Sequence, residues 1–377
     1  MSRRTFSFSF PPRVRLQPLF DFLVGEFFQM RILFTKLRHI GDNLLVTPIM
    51  VATKRKYPDA EIWLAVRRST EGILAGCPEI DRIVTTARPE ESKRSWKDKV
   101  GDLATLSLIA RTRFDYAFEL GDNDRGRTLV AASIAPVRGA HRGEPGLNAF
   151  WQRAFTDIVP TDRSAMHQVE MDYIIPERVL GLPEEPPALR FDPAATRPWG
   201  ASFDPESEEF AVLHAATRWE SKSWPLDRWR ATLAGLLEFT PRVIVSCGPG
   251  AVERTEAEAL CSGFGDRVTT TGGKASWGQL AWLLQRARYY VGVDTAAMHL
   301  AAAMQCPSVT LFGQSIPGQF GPWRCPHVMV APAGRKVGEP SEKPGGVPNY
   351  RMLSIGVDDV VSACVRASAM KSGLLHS

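Results

Sequence analysis

The sequence predicts an α/β protein in two halves, each built on a parallel sheet. Three observations carry this. At roughly 150 residues per domain, a chain of 377 residues asks for two domains rather than one. From residue 30 onward, short apolar runs of strand length alternate with helical patterns, the signature of strands joined by helical crossovers. Between 183 and 207, Pro183, Pro186, Pro187, Pro193, Pro198 and Pro205 mark a linker that continues neither strand nor helix. A second α/β series follows it.

In the first half, strands are expected at 32–35, 61–66, 81–85, 115–120 and 136–139, with helices at 43–56 and about 101–112 and a short one after the second strand. Pro48 must kink or restart the first helix, because proline supplies no amide proton inside a helix. In the second half, strands are expected at 210–214, 242–246, 267–270, 289–293 and 308–312, and helices at 226–238, 251–262, 276–286, 295–304 and 357–370. Residues 331–350, rich in Pro and Gly, read as a long loop. The predicted organisation is an N-terminal extension (1–29), a first Rossmann-like domain (30–182), the linker (183–207), a second Rossmann-like domain (208–356) and a C-terminal helix and tail (357–377). Two such halves leave a cleft between strand-end faces, where open α/β sheets bind ligands.

Composition narrows the function. A hydrophobic fraction of 44% and a charged fraction of 23% fit an ordinary globular protein and exclude collagen-like or disordered chains. The net charge of +5 is too small to predict nucleic-acid binding, yet it permits a local basic pocket for an anion. Six dispersed cysteines without a Cys-x-x-Cys pair read as reduced cytoplasmic thiols, not a disulfide framework or zinc site. No apolar run is long enough to span a bilayer. Residues 1–29, with Arg3, Arg4, Arg13 and Arg15 among seven phenylalanines, are either an extension ahead of a core starting near Met30 or a basic-aromatic segment lying on a membrane surface.

Three segments can carry chemistry. Lys36-Leu-Arg38-His39-Ile-Gly41-Asp42 follows the first strand. A glycine there lets backbone approach a ligand closely, and Asp42 is either a helix cap or a general base aimed into the cleft. Thr217-Arg218-Trp219-Glu220-Ser-Lys222-Ser-Trp224-Pro225 gathers hydroxyl, guanidinium and ammonium groups before a helix. It is a diphosphate clamp or a solvated loop with an internal salt bridge. Gly292-Val-Asp294-Thr295-Ala296-Ala297-Met-His299 turns a strand abruptly into a helix whose first amides form an anion site. His299 is a ligand or a satisfied core histidine. Cys247-Gly248-Pro249-Gly250-Ala-Val-Glu253 fails as a dinucleotide fingerprint because Glu253 stands at its sixth position; Glu253 is instead available to ribose hydroxyls.

Together these segments resemble the ADP-heptose:lipopolysaccharide heptosyltransferases, glycosyltransferase family 9, over roughly residues 30–330. Arg38-His39 before Gly41-Asp42, the Arg-Trp-x-x-Lys-x-Trp pattern at 218–224, and Phe150–Asp157 are most similar to the heptosyltransferase III branch. The resemblance implies a GT-B architecture, two Rossmann-like domains facing across a cleft. It also implies an inverting transfer of heptose from ADP-heptose to a hydroxyl of the lipid-linked lipopolysaccharide inner core, without a cofactor or a required metal. Under it Asp42 matches the catalytic base, and Lys222 the lysine on the donor phosphates, with Thr217 and Arg218 beside it. Glu253 matches the carboxylate on the ribose, and Asp294, Thr295, Ala296 and His299 fall in the donor-site signature. Lys36, Arg38, Arg67, Arg68, Arg125 and Arg127 are basic residues for the acceptor or solvated charges, and His39, Asp122 and Asp124 are candidate hydrogen-bonding groups, the run Asp122–Gly126 being equally a turn with Asx chemistry. Ala216 departs from the second threonine of type I members, and Ala296-Ala297 from their Gly-Leu pair. The implied location is the cytoplasmic face of the inner membrane, with transient surface contact. Competing readings are a transferase of the same fold using another nucleotide sugar, and a non-catalytic nucleotide-sugar-binding protein.

Overall fold

The computed structural model describes residues 29–87, 95–143, 146–162, 166–313, 315–332 and 350–374. The predicted extension, except its last residue, and residues 333–349 of the Pro/Gly-rich loop lie outside these. In the first half, strands β1 (Arg31–Lys36), β2 (Glu61–Arg67), β3 (Arg82–Thr86), β4 (Tyr116–Glu119), β5 (Val137–His141) and β6 (Asp157–Val159) pair in the order β3-β2-β1-β4-β5-β6. In the second, β7 (Phe210–His214), β8 (Arg242–Val245), β9 (Val268–Thr270), β10 (Tyr290–Val293), β11 (Ser308–Leu311) and β12 (His327–Val330) pair as β12-β11-β10-β7-β8-β9. Every pairing is parallel. Both sheets therefore reverse their strand order at one place, between β1 and β4 and between β7 and β10. Such switch points open a crevice beyond the carboxyl ends of the strands.

The strands are apolar because helices cover both faces: Ile32, Leu33 and Phe34 on β1 and Ala211, Val212 and Leu213 on β7 are fully buried. Pro48 restarts the helix rather than kinking it. Ile40–Leu45 ends at Val46, and Thr47–Lys56 begins with proline in its first turn, where a missing amide proton costs nothing. The helix expected at 101–112 starts earlier, at Trp96, because Ser95 and Asp98 form a reciprocal capping box. The short helix after β2 is the 3-10 turn Glu71–Gly76.

The linker is pinned to both halves. Arg190 N–H donates to Thr47 Oγ1 at 2.9 Å, Asp192 N–H to Gly76 O at 2.6 Å, and Arg197 N–H to Gly278 O at 3.1 Å. Phe191 packs over Gly76 so closely that a Cβ there would meet its ring at 2.4 Å. The C-terminal helix, Val357–Leu374, packs on β11, β12 and the helix Leu226–Leu236. Helices Ile40–Leu45 and Ala296–Ala303 meet across the halves, which brings the two switch points together.

Candidate functional site

One cavity of about 1150 Å³ lies between the switch points, lined by residues of both halves. From the first half, Lys36, Arg38, His39, Gly41 and Asp42 reach it, and from the second Thr217, Arg218, Lys222, Glu253, Asp294, Thr295, Ala296 and His299. Asp122, Asp124 and Arg125 do not line it.

On the first side, the backbone leaves β1, turns at Leu37–His39 and enters a helix whose third residue is Asp42. The Asp42 Oδ2 accepts the His39 N–H at 2.9 Å. The carboxylate thus bonds the backbone of the N-cap residue, His39, rather than being the N-cap itself, and it lines the cavity as well. Arg38 Nε donates to Gly121 O at 2.6 Å, tying the loop after β1 to the loop after β4. Gly41 lines the cavity, and its bareness also serves a contact between the halves. A Cβ at this position would lie 3.1 Å from His299 Cδ2 and 3.3 Å from Ala296 Cα, so its bareness lets the other half pack against it.

Lys36 is a correction to the idea of a free acceptor-binding cation. Its side chain is 1% exposed, and the ammonium bonds the carboxylate of Asp172 and donates to Leu120 O at 3.0 Å. Burial would raise the Asp172 carboxyl, but Lys36 and His141 hold it below the usual range. A cation so thoroughly paired builds the cavity floor rather than binding an anion above it. Asp122, Asp124 and Arg125 are likewise structural. Both aspartates pair with Arg127, Arg125 bonds Asp102 at 3.1 Å, and Asn123 Oδ1 accepts the Gly126 N–H as the cap of the helix Asp124–Ala132. Of the other cations suggested for an acceptor, Arg67 lines the cavity and donates Nε to Leu37 O at 2.9 Å, whereas Arg68 pairs with Asp98 at 2.7 Å.

On the second side, the chain leaves β7, passes Thr217–Trp219 and makes one 3-10 turn, Glu220–Lys222, before the helix Leu226–Leu236. That turn aims the Lys222 ammonium at Asp294, 2.6 Å away at the end of β10. Asp294, a carboxylate next to the predicted anion site, holds the lysine. Burial would raise its carboxyl, but Lys222 first and His299 second hold it below the ordinary range. Thr295 is the N-cap of the helix Ala296–Ala303 without capping it by its side chain, and Ala296 and Ala297 at the helix start face the cavity. Burial pushes His299 down to about 4, so its imidazole is neutral at neutral pH; Asp294 and Asp42 are among the charges it feels. Glu253 lines the cavity while its Oε2 accepts the Gly248 N–H at 2.7 Å, which fixes the loop after β8.

The tryptophans divide. Trp224 is buried edge-on against Trp229 at 4.9 Å and belongs to the core, whereas Trp219 meets His39 of the first half edge-on at 6.0 Å and lines the cavity. Sequence reasoning passed over His141, Gln168 and Trp277, all of which line the cavity. His141 is 2% exposed and sits 3.8 Å from Asp172. Only the position of this histidine at a strand end could have flagged it. Among the described residues no cluster of three or more His, Cys, Asp or Glu is arranged to hold a metal.

The family model for glycosyltransferase family 9 (heptosyltransferase) matches residues 131–337, more than half of the chain. The chain belongs to glycosyltransferase family 9. It is similar to lipopolysaccharide heptosyltransferase 3 of Escherichia coli, 25% identical over 76% of this chain and 84% of that protein. It is also similar to lipopolysaccharide heptosyltransferase 1 of Pseudomonas aeruginosa, 27% identical over 78% of this chain and 81% of that protein. Two solved structures share the fold. One is a glycosyl transferase family 9 protein of Veillonella parvula, with a TM-score of 0.72 at 17% identity, covering 90% of this chain and 98% of that one. The other is E. coli heptosyltransferase WaaC with ADP, with a TM-score of 0.71 at 19% identity, covering 90% and 100%. The architecture is therefore GT-B, and this family 9 member is a glycosyltransferase.

Proposed function

We propose that this family 9 enzyme binds ADP-heptose against its second half and transfers the heptose, with inversion, to a hydroxyl of the lipopolysaccharide inner core held by its first half. The observation that carries the reading is that Asp42 and Lys222 line one cavity from opposite halves. The solved relative bound to ADP and the curated relatives named as lipopolysaccharide heptosyltransferases support the choice of substrates. Arg38-His39 ahead of Gly41-Asp42 favours the type 3 branch.

Asp42 takes the proton from the acceptor hydroxyl as its oxygen attacks the anomeric carbon on the face opposite the diphosphate. The bond from that carbon to the diphosphate breaks, and ADP leaves with the electron pair. Charge gathers on the departing phosphate, where Lys222 (turning from Asp294), Thr217 and the start of the helix Ala296–Ala303 stabilise it. Glu253, on the cavity wall, accepts hydrogen bonds from the ribose of the nucleotide. The enzyme works on the cytoplasmic face of the inner membrane, where nucleotide sugar and lipid-linked acceptor meet, and touches that membrane without spanning it.

Asp42→Asn is expected to cut turnover about 10²- to 10⁴-fold, the usual worth of a positioned base, while calorimetry still shows ADP binding. Unchanged turnover with ADP-heptose and an inner-core acceptor would remove Asp42 from the reaction. Turnover of a UDP- or GDP-sugar in place of ADP-heptose would overturn the donor.

A further inference from the structure

We infer that the outward face of the helix Trp96–Arg111 is a docking surface for an anionic lipid bilayer, placed to present a lipid-anchored acceptor to the rim of the cleft. On this helix Trp96 is 70% exposed, Val100 55% and Leu103 65%. At 100° per residue these three fall within roughly 60° of one another, a single stripe. Exposed tryptophan is costly in an aqueous surface unless something covers it.

The charges of the helix are sorted about that stripe. Its two acids point toward the sheet: Asp98 pairs with Arg68 at 2.7 Å, and Asp102 with Arg125 at 3.1 Å while also accepting the Ala87 N–H at 2.7 Å. Ile109, the one buried apolar side chain of the helix, lies on the same inner face. Lys97 and Lys99, both exposed, flank the apolar stripe. The outer face therefore offers tryptophan, leucine and valine between lysines, which is the composition that settles at the headgroup boundary of an anionic membrane.

Position completes the argument. Arg68, whose guanidinium holds the first turn of this helix, follows Arg67, and Arg67 and Ser69 line the cavity on the first half's side. A bilayer touching Trp96 lies beside the rim through which an acceptor carried on a lipid would enter. The choice of a bilayer as occupant rests on the lipid-linked acceptor of the proposed function.

The test uses the full chain and vesicles containing neither donor nor acceptor, so failure of heptose transfer leaves it untouched. The chain should sediment with vesicles of mixed phosphatidylglycerol and phosphatidylcholine far more than with phosphatidylcholine alone. The triple variant Trp96→Ser, Val100→Ser, Leu103→Ser, all on the surface, should keep the wild-type melting temperature. It should lose about tenfold or more in partitioning, ~1.4 kcal/mol per tenfold. Lys97→Glu with Lys99→Glu should cost about fivefold per lysine on the anionic vesicles and little on neutral ones. Absence of wild-type binding would overturn the inference. So would full binding by the triple variant, which would move the contact to another segment such as residues 1–28. Loss of self-association without any change in vesicle binding would instead make this face a contact with a second copy, and would also overturn it.

Discussion

The two switch points have the same strand order, and each places a cation close to its first strand, yet those cations do different jobs. Lys36 ends β1 with its ammonium sealed against Asp172; the side chains are 1% and 0% exposed. Lys222 follows β7 by a short loop and meets Asp294 with its side chain 24% exposed. A fully buried pair cannot exchange partners, because either ion left alone would face an uncompensated desolvation cost. A pair at the wall of a cavity can turn toward an arriving anion, since water and ligand reach one of its members. The carboxylates reverse the pattern: Asp42 faces the cavity from the first half, whereas Asp294 is the buried anchor in the second. Each half thus contributes one available charge and one fixed one, of opposite signs.

The largest expected effect tests the fixed charge. Lys36→Met leaves Asp172 buried without its partner and should cost about 3–5 kcal/mol of stability, read from urea midpoints, with ADP affinity of the folded fraction unchanged. If the variant were as stable as the parent, the distinction between the two lysines would fail. Lys222→Met should do the opposite. Stability should fall less than in Lys36→Met, because the Lys222 side chain is 24% exposed and water reaches the pair, while kcat falls about 10²- to 10³-fold, the loss found when one preorganised donor is removed. Unaltered kinetics would take Lys222 out of the site.

The halves also differ in how they should respond to pH. In the first, burial raises Glu119 to about 7 despite the nearby Arg127. Its folded state prefers the proton, so stability from this group is present at low pH and lost as pH rises from about 4.5 to 7, by about 3 kcal/mol at 1.36 kcal/mol per unit. In the second, burial lowers His214 to about 4. That group prefers to be neutral in the fold, so its contribution is complete above pH 6.5 and is lost as pH falls toward 4, again by about 3 kcal/mol. Urea titrations of Glu119→Gln should remove the fall in stability as pH rises from about 4.5 to 7, and His214→Asn should remove the fall as pH drops from about 6.5 to 4. Parallel profiles for parent and variants would show that neither environment perturbs its group in solution.

Much of this was legible in the sequence, and for local reasons. Strand, loop and helix start lie within about a dozen residues of one another in Lys36–Asp42, His214–Lys222 and Gly292–His299, so the position of each charge at a strand end follows from the strand itself. Features that depend on distant partners were not legible. Lys36 looks like a free cation until Asp172, 136 residues away, is folded against it. Asp122, Asp124 and Arg125 look like a sugar-binding turn, since a helix cap uses the same residue types as a ligand loop. The helix Gln168–Leu180 was missed with Pro176 inside it, and β6 and β12 were missed because three and four residues at a sheet edge leave almost no pattern.

The smallest expected effect probes the contact between the halves at Gly41. In this arrangement an alanine methyl would press on His299 Cδ2 at 3.1 Å and on Ala296 Cα at 3.3 Å, so the helices Ile40–Leu45 and Ala296–Ala303 must part by a few tenths of an ångström. Overpacking at such a contact costs about 1–3 kcal/mol, and the tolerable gap places Gly41→Ala at the low end of that range. Gly76→Ala is the reference for a contact that cannot yield, since its methyl would meet the buried Phe191 ring at 2.4 Å. Chemical denaturation should therefore rank Gly76→Ala as the more damaging of the two. Gly41→Ala should also weaken kcat/KM more than ADP binding, because it moves the Asp42 helix relative to the donor side. If Gly41→Ala were neutral in both stability and turnover, the two halves would be held apart in solution, and the shared cavity would form only when substrates draw them together.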